Sequence, residues 1–413
     1  MTIDGKLAWR NVWRNPRRSL LTMAAIAFAV LLVIFMVSFQ FGSYESMIAN
    51  AVEIGTGHMQ IQAEGYYDKP TIRKVIPDPA TAMEILDSAP GVVAYASRGS
   101  SFALLSSEDR TYGGMVRGID PEAEARVTSL PDLVREGEYL APDDYDQALI
   151  GELLAKNLGV GIGDELVVLG QGRDGSFAAA VYIIKGIFSS GQDEMDRSVI
   201  HVPLANFEDT FFMQGAVHEI VVKADSLGSV DATREALAMG LAQNGADNGL
   251  AVLTWEELLP GIKQSIQMDM VGGFFFHLLL IIVVAFSILN TFLMAVFERT
   301  REFGVMMAMG ATPGRLVRLL LLESGFTTLV GIIAGFISGL ALTWYLQKQG
   351  IPLPESTVEL VKMYGMPERM YPKLSWFSLT IGPVAVSIIT MLAALYPALR
   401  VRRLTPAQAM AAT

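Results

Sequence analysis

The stretch 290-NTFLMAVFERTREFGVMMAMGATPGRLVRLLLLESG-325 decides how this 413-residue chain is read. It joins two apolar runs. Met270 to Phe297 contains no Asp, Glu, Lys or Arg, and neither does Ser324 to Gln347. Each run exceeds the roughly 20 residues a helix needs to cross a bilayer core. The insert between them carries Arg299, Arg301, Arg315 and Arg318, so the positive-inside bias puts it in the cytoplasm. On one helix, Glu298 with Arg301 and Arg299 with Glu302 would form i,i+3 pairs. The helix is expected to stop near Gly310. Thr312 before Pro313 reads as an N-cap with proline in the first turn, restarting the chain toward the next span.

Working outward, two more apolar runs, Ser19 to Gly42 and Leu374 to Leu399, complete a set of four. The predicted order is an interfacial helix over 1–18, a first span over 19–42 and an extracytoplasmic domain over 43–268. A second span over 269–297 follows, then a cytoplasmic helix and turn over 298–315 and a third span over 316–347. An outer loop over 348–373, a fourth span over 374–399 and a basic cytoplasmic tail over 400–413 close the chain. Both ends are then inside. In the first segment, Trp9, Arg10, Trp13 and Arg14 are expected at the membrane interface, where Trp rings and snorkelling Arg side chains are favoured. The run after it is too long for a usual signal-peptide core.

Charge is distributed unevenly. Tyr44 to Lys263 holds 15 basic and 34 acidic residues, whereas the remainder holds 16 basic and 8 acidic. So acidic a block argues against nucleic-acid binding. The basic remainder lies beside apolar runs, as anionic inner-leaflet lipids would favour. There is no cysteine, which excludes disulfides and thiol nucleophiles.

The 43–268 region reads as α+β. His58 to Ala63 alternates as a half-buried strand, Thr81 to Ser88 is helical, and Val92 to Leu105 forms one or two strands. ALIGELLAKNLGVGIGDELVVLG, 148–170, reads as strand, helix, glycine turn, strand, followed by a hairpin turning at Arg173-Asp174-Gly175. A membrane-proximal subdomain (about 43–120 and 205–268) interrupted by a β-rich insert (about 120–205) is expected.

The segment ER-x-REFGVM-x-AMGA, with ES at 323–324, resembles the cytoplasmic signature of the FtsX-like permeases, the ABC-transporter group that includes MacB and LolC/LolE. The 148–166 stretch resembles the insert of that family's MacB-like periplasmic domain. GTGH-x-Q-I-Q-A-E-G-Y-Y after the first span is similar to permeases grouped with the lipoprotein-releasing ones. The resemblance implies a four-span inner-membrane permease with its large domain in the periplasm. It implies a coupling helix that docks on a cytoplasmic ABC ATPase through Glu298, Arg299, Arg301, Glu302, Gly304, Met309, Gly310 and Ala311. It also implies a second permease copy or a homologous chain, and lipoprotein or lipid traffic as the task. Efflux with a periplasmic adaptor and regulation of cell-wall hydrolases are the alternatives.

The sequence contains no G-x-x-x-x-G-K-[ST]. Without a loop of backbone amides to cradle phosphates, no ATP site and no enzymatic activity are expected in this chain. ATP and magnesium would belong to the partner ATPase. Gly331, Gly335 and Gly339 recur every four residues and predict a close helix-packing face. The acidic clusters at Asp143, Asp144 and Asp146 and at Asp193, Glu194 and Asp196 read as solvated turns. No metal site or catalytic constellation is expected.

Overall fold

The computed structural model describes residues 3–245, 249–354 and 369–401. Along the chain, α1 (Ile3–Val12) precedes the long α2 (Pro16–Ala51). Then come β1 (Met59–Ala63), α3 (Ala80–Ser88), β2 (Val92–Ser106), β3 (Thr111–Ile119), α4 (Pro121–Val127) and α5 (Leu130–Leu133). They are followed by β4 (Val134–Gly137), β5 (Gln147–Gly151), α6 (Glu152–Leu158), β6 (Glu165–Gln171), β7 (Phe177–Phe188) and α7 (Asp193–Ser198). Next are β8 (Val199–Pro203), α8 (Leu204–Thr210), β9 (Glu219–Ala224), α9 (Val230–Gln243), β10 (Leu250–Thr254) and α10 (Trp255–Leu258). The chain continues with α11 (Pro260–Glu298), α12 (Thr300–Ala308), α13 (Pro313–Gln349) and α14 (Trp376–Val401).

Four helices, α2, α11, α13 and α14, are long and apolar enough to span a bilayer. The chain is a membrane protein of four transmembrane helices, with a large α+β domain between the first and second. Two compact units are present. Among the described residues, one holds 3–45, 265–353 and 369–401, and the other is centred on 46–245 and 249–264.

In the helical unit, Ile26, Val30 and Ile34 of α2 form a buried cluster with Ile288 of α11 and Val386 of α14. The glycines of α13 lie against α2. A Cβ on Gly331 would fall 2.8 Å from Ile26 Cβ, one on Gly335 would fall 2.8 Å from Ala27 Cα, and one on Gly339 3.1 Å from Leu31 Cα. The small-residue face is therefore an intrachain packing face, since only glycine lets these two backbones approach so closely. Helices in lipid gain little from the hydrophobic effect, so such contact carries much of their association.

The α+β unit is built on one ten-stranded mixed sheet in the order β10-β1-β9-β2-β3-β8-β5-β7-β4, with β6 pairing β2 and β7. The pairs β3–β8 and β5–β7 are parallel. The long β2–β3 hairpin carries the sheet across both cores. Met59, Ile61, Ile220, Val222 and Leu237 fill one core. Leu105, Val116, Ile150, Leu166, Ile184 and Phe207 fill the other. The expected boundary near 120 does not coincide with a break, because Leu105 and Val116 already pack with the second core. That near 205 behaves similarly, since Phe207, Phe211 and Met213 stay in it.

The half-buried reading of β1 is corrected. This strand lies between β10 and β9, and Gln60 and Gln62 are as buried as the apolar residues that alternate with them. Their amides are used internally: Gln60 Nε2 donates to the Thr56 carbonyl at 2.8 Å, and Gln62 Nε2 donates to Gln60 Oε1. The second acidic cluster is not simply solvated either. Asp196 is buried and accepts hydrogen bonds from the Ser190 amide and hydroxyl at 2.8 and 2.6 Å. Asp144 of the first cluster is 2.6 Å from Lys185 Nζ. The expected outer loop lies partly, and Arg402 and Arg403 of the tail wholly, outside the described residues.

Candidate functional site

The site is the short helix α12 and the turns that flank it. α11 ends at Glu298, and Arg299 (φ −103°, ψ 7°) leaves helical geometry before α12 begins. The break changes the charge pairing. Glu298 and Arg301 do not share one helix, so the expected i,i+3 pair between them is replaced by a 2.6 Å ion pair from Glu298 to Arg18. Arg299 and Glu302 do approach, at 3.3 Å.

α12 has two faces. Thr300, Phe303, Gly304 and Met307 are buried, and Phe303 and Met307 pack with Val296 and Leu316. This spacing of three and four residues is one helical stripe. The opposite stripe, Arg301, Val305 and Met309, is exposed, with Met309 at 76%. Arg301 has no ion pair or hydrogen bond among the described residues.

The helix stops through backbone chemistry. The Gly310 amide donates to Met307 O at 3.0 Å and the Ala311 amide to Met306 O at 3.0 Å. Gly310 sits at φ +94°, so this is a Schellman closure with glycine in the left-handed position. Thr312 occupies the N-cap of α13 with Pro313 after it, but its side chain makes no capping hydrogen bond.

Arg299 is turned inward and is 8% exposed. Its Nη1 donates to both oxygens of Glu323 on α13, at 3.2 and 2.9 Å, and its guanidinium lies 5.6 Å from the Phe303 ring centroid. Glu302 is held by a second cation, Arg14, whose Nη1 is 2.9 Å away. Arg14 first, and then Arg299, hold the Glu302 carboxyl below the usual range against the opposing effect of burial. Arg315 of α13 reaches Asp4 of α1 at 2.9 Å.

The residues expected at the membrane interface are thus divided. Trp9 and Trp13 are partly exposed, and Trp9 packs edge-on with Trp13 and Phe326 at 6.0 and 5.6 Å. Arg10 is exposed. Arg14 is also exposed, at 58% of its side chain, and pairs with Glu302. Of the residues implied for coupling, Glu298, Arg301, Met309 and Gly310 are exposed, whereas Arg299 and Gly304 are buried.

Sequence reading missed Asp4, Arg18 and Glu323 as partners. Glu323 was visible as the end of the ER…ES signature, but a 24-residue separation matches no helical period. Among the described residues no group of three or more His, Cys, Asp or Glu could hold a metal. The arrangement presents an exposed stripe, part charged and part apolar, on a short helix between two spans.

A family model of the MacB-like periplasmic core domain matches residues 19–239, and one of the FtsX-like permease C-terminal region matches 274–406. The lipoprotein-releasing system transmembrane protein LolC of Xylella fastidiosa (strain 9a5c) is 26% identical over 344 residues, covering 80% of each chain. The macrolide export ATP-binding/permease protein MacB of Wolinella succinogenes is 22% identical over 374 residues, 87% of this chain and 56% of the relative. The crystal structure of the periplasmic region of MacB from Actinobacillus actinomycetemcomitans aligns at TM-score 0.38 and 17% identity, over 54% of this chain and 97% of that one.

Proposed function

The chain belongs to the permeases built from a MacB-like periplasmic core domain and an FtsX-like C-terminal region, and from that premise we propose that it transmits force from a separate cytoplasmic ATPase. It is an ABC transporter permease of the LolC, LolE and MacB type. The ATPase docks on the exposed stripe Arg301, Val305 and Met309. ATP and magnesium are bound by that partner, and no catalytic step falls to this chain. The work is done on the outer side of the bacterial inner membrane, on a lipoprotein or lipid cargo, by a pair of permease chains.

The observation that carries this reading is the construction of α12. One face packs on α11 and α13, and Glu302 pairs with Arg299 before the helix and with Arg14 in the turn between α1 and α2, so displacement of the other face is passed on rather than absorbed. Similarity to lipoprotein-releasing relatives over most of the chain supports the cargo class. The test is co-purification of the ATPase encoded with this permease, together with ATP-dependent release of a lipoprotein from proteoliposomes. A chain that binds no ATPase, or that drives no release when it does, would reject the coupling or the cargo respectively.

A further inference from the structure

One face of the sheet carries a band of polar side chains. Gln62 pairs with Glu219, Glu219 with Arg98, Ser100 with Arg117, and Arg117 with His201, in neighbouring strands. Part of this band is satisfied. Arg98, 1% exposed, donates from Nε to Glu124 Oε2 at 2.9 Å and from Nη2 to Oε1 at 2.5 Å, and it also reaches the Gly55 carbonyl. The rest is not. Arg117 Nε, both ring nitrogens of His201 and Gln62 Oε1 are buried without a hydrogen-bond partner. Glu219 has only a 3.8 Å approach from Arg98. A buried polar atom left unpaired is unfavourable, and of Arg117, His201 and Gln62 it is Arg117 that lines a cavity.

A cavity of about 880 Å³ opens against this band, wholly within the α+β unit. Its polar lining includes Arg98, Arg117 and Glu219, and its apolar lining includes Met47, Ile54, Met115, Met195 and Leu259. The volume lies within the about 300–1,000 Å³ of small-molecule sites, which combine apolar walls with a few placed polar groups. Arg117 is the cation without an ion pair there, and a guanidinium offers a planar fork that fits an oxyanion. Burial, and then the charge of Arg98, push this guanidinium down from its ordinary value, a penalty that a bound anion would relieve. Glu219, with Asp193 and Glu194 also in the lining, disfavours a highly charged head.

We propose that this cavity binds an amphiphile with one phosphate or carboxylate head, held by Arg117, its chain lying on the methionine and aliphatic wall. The site is independent of ATPase docking at α12. It gives the α+β domain a ligand of its own, chosen by head and chain together.

The chain has no native cysteine, so Met195→Cys places a unique thiol on the cavity wall. Maleimide labelling of that full-length variant in nanodiscs is followed with octyl phosphate, octanoate, octanol and glycerol phosphate. Octyl phosphate or octanoate is expected to slow labelling at concentrations at least tenfold below those of octanol or glycerol phosphate. Adding Arg117→Met should erase that preference and leave the octanol response unchanged. Equal protection by octanol and the anionic probes in the Met195→Cys protein would overturn the head-group assignment without any need for the second substitution. No protection by any probe would mean that only water fills the cavity, which also rejects the proposal. Neither result touches the permease reading, which stands on ATPase binding.

Discussion

Arg299 and Glu323 are joined by two hydrogen bonds, 2.9 and 3.2 Å long, across the turn that separates α12 from α13. Their side chains are 9% and 13% exposed. The two ends of the ER…ES signature therefore meet in space. Arg299 ties the helix break to the next span, while Arg301, two residues on, points out.

That division makes the two arginines separable. Removing one member of a buried pair leaves an uncompensated charge and costs about 3–5 kcal/mol, less here because the pair retains some exposure. Arg299→Ala is expected to reduce the monodisperse fraction after detergent extraction and lower the thermal midpoint by several degrees. Arg301→Ala, at an exposed position, should stay within about 0.5 kcal/mol of wild type. Equal loss in both variants, measured by thermal unfolding on a sizing column, would remove the structural role assigned to Arg299.

Gly335 tests the packing between α13 and α2. Even a methyl group there meets Ala27 Cα at 2.8 Å and Val30 Cβ at 2.8 Å, a backbone that cannot give way cheaply. Overpacking typically costs about 1–3 kcal/mol. Gly335→Ala should lower the thermal midpoint and Gly335→Leu should lower the yield of folded protein. Gly325→Ala, on the same helix with open space around its added methyl, is the control and should be neutral. Loss of stability in the control alone would contradict this packing.

The membrane part was legible because lipid imposes a simple rule: about 20 apolar residues make a span, and glycines at four-residue intervals mark close approach. α12 was legible from its charges and from Gly310. Its pairing was not. Arg14–Glu302 and Arg18–Glu298 join residues far apart in sequence, and an ion pair of that kind leaves no periodic trace. In the α+β domain, alternation identified β1 as a strand but misjudged its outer face. Gln60 and Gln62 look solvent-facing by residue type, yet a strand flanked on both sides buries them, with the Gln60 amide on the Thr56 carbonyl of the preceding turn and the Gln62 amide on Gln60. The Arg98–Glu124 pair and the cavity beside it depend on a strand order that the sequence does not display.

His218 makes the stability of the α+β domain pH-dependent. Its Nδ1 accepts the Ser100 amide at 3.0 Å and its Nε2 faces the Ile72 carbonyl at 3.2 Å, an arrangement that fits a neutral ring protonated on Nε2. Burial is the main reason its pKa is lowered to about 4. An unfolded histidine titrates near about 6.5. Between those values the unfolded chain holds more protons, so stability falls as the pH falls. The contribution is complete above about pH 6.5 and is lost progressively toward about pH 4, with a slope of up to about 1.4 kcal/mol per pH unit. Glu124 acts in the same direction at lower pH. Burial would raise its carboxyl, but Arg98 holds it below the usual range, so its contribution is lost as acid protonates it. Hydrogen-exchange protection of β2 and β9, corrected for intrinsic rate, should decrease from about pH 7.5 to about pH 5. His218→Gln should lessen that decrease, the remainder coming from His201, which burial also pushes down. A wild-type profile without slope would contradict a neutral buried ring.

The coupling reading is tested most directly on the exposed stripe of α12. Arg301 and Met309 take no part in the packing of Phe303 and Met307, and Arg301 has no partner among the described residues, so Arg301→Glu with Met309→Glu should leave membrane insertion and thermal stability unchanged. The same pair reverses a charge and removes the most exposed apolar side chain from the stripe. Like charges placed across an interface cost several kcal/mol, so recovery of the ATPase in pull-down should fall at least tenfold, and stimulated ATP turnover with it. Gly310 should separate binding from work. At φ +94° a β-branched residue is strained, so Gly310→Val distorts the Schellman closure and the angle at which α12 meets α13 while leaving Arg301 and Met309 in place. The expected phenotype is an ATPase that binds and hydrolyses ATP in nanodiscs but releases no cargo in proteoliposomes. If the double-glutamate variant instead binds the ATPase at wild-type level and turns over at wild-type rate, the docking surface is not on this face of α12. If Gly310→Val transports normally, the turn is not part of the force path, even where docking at α12 holds.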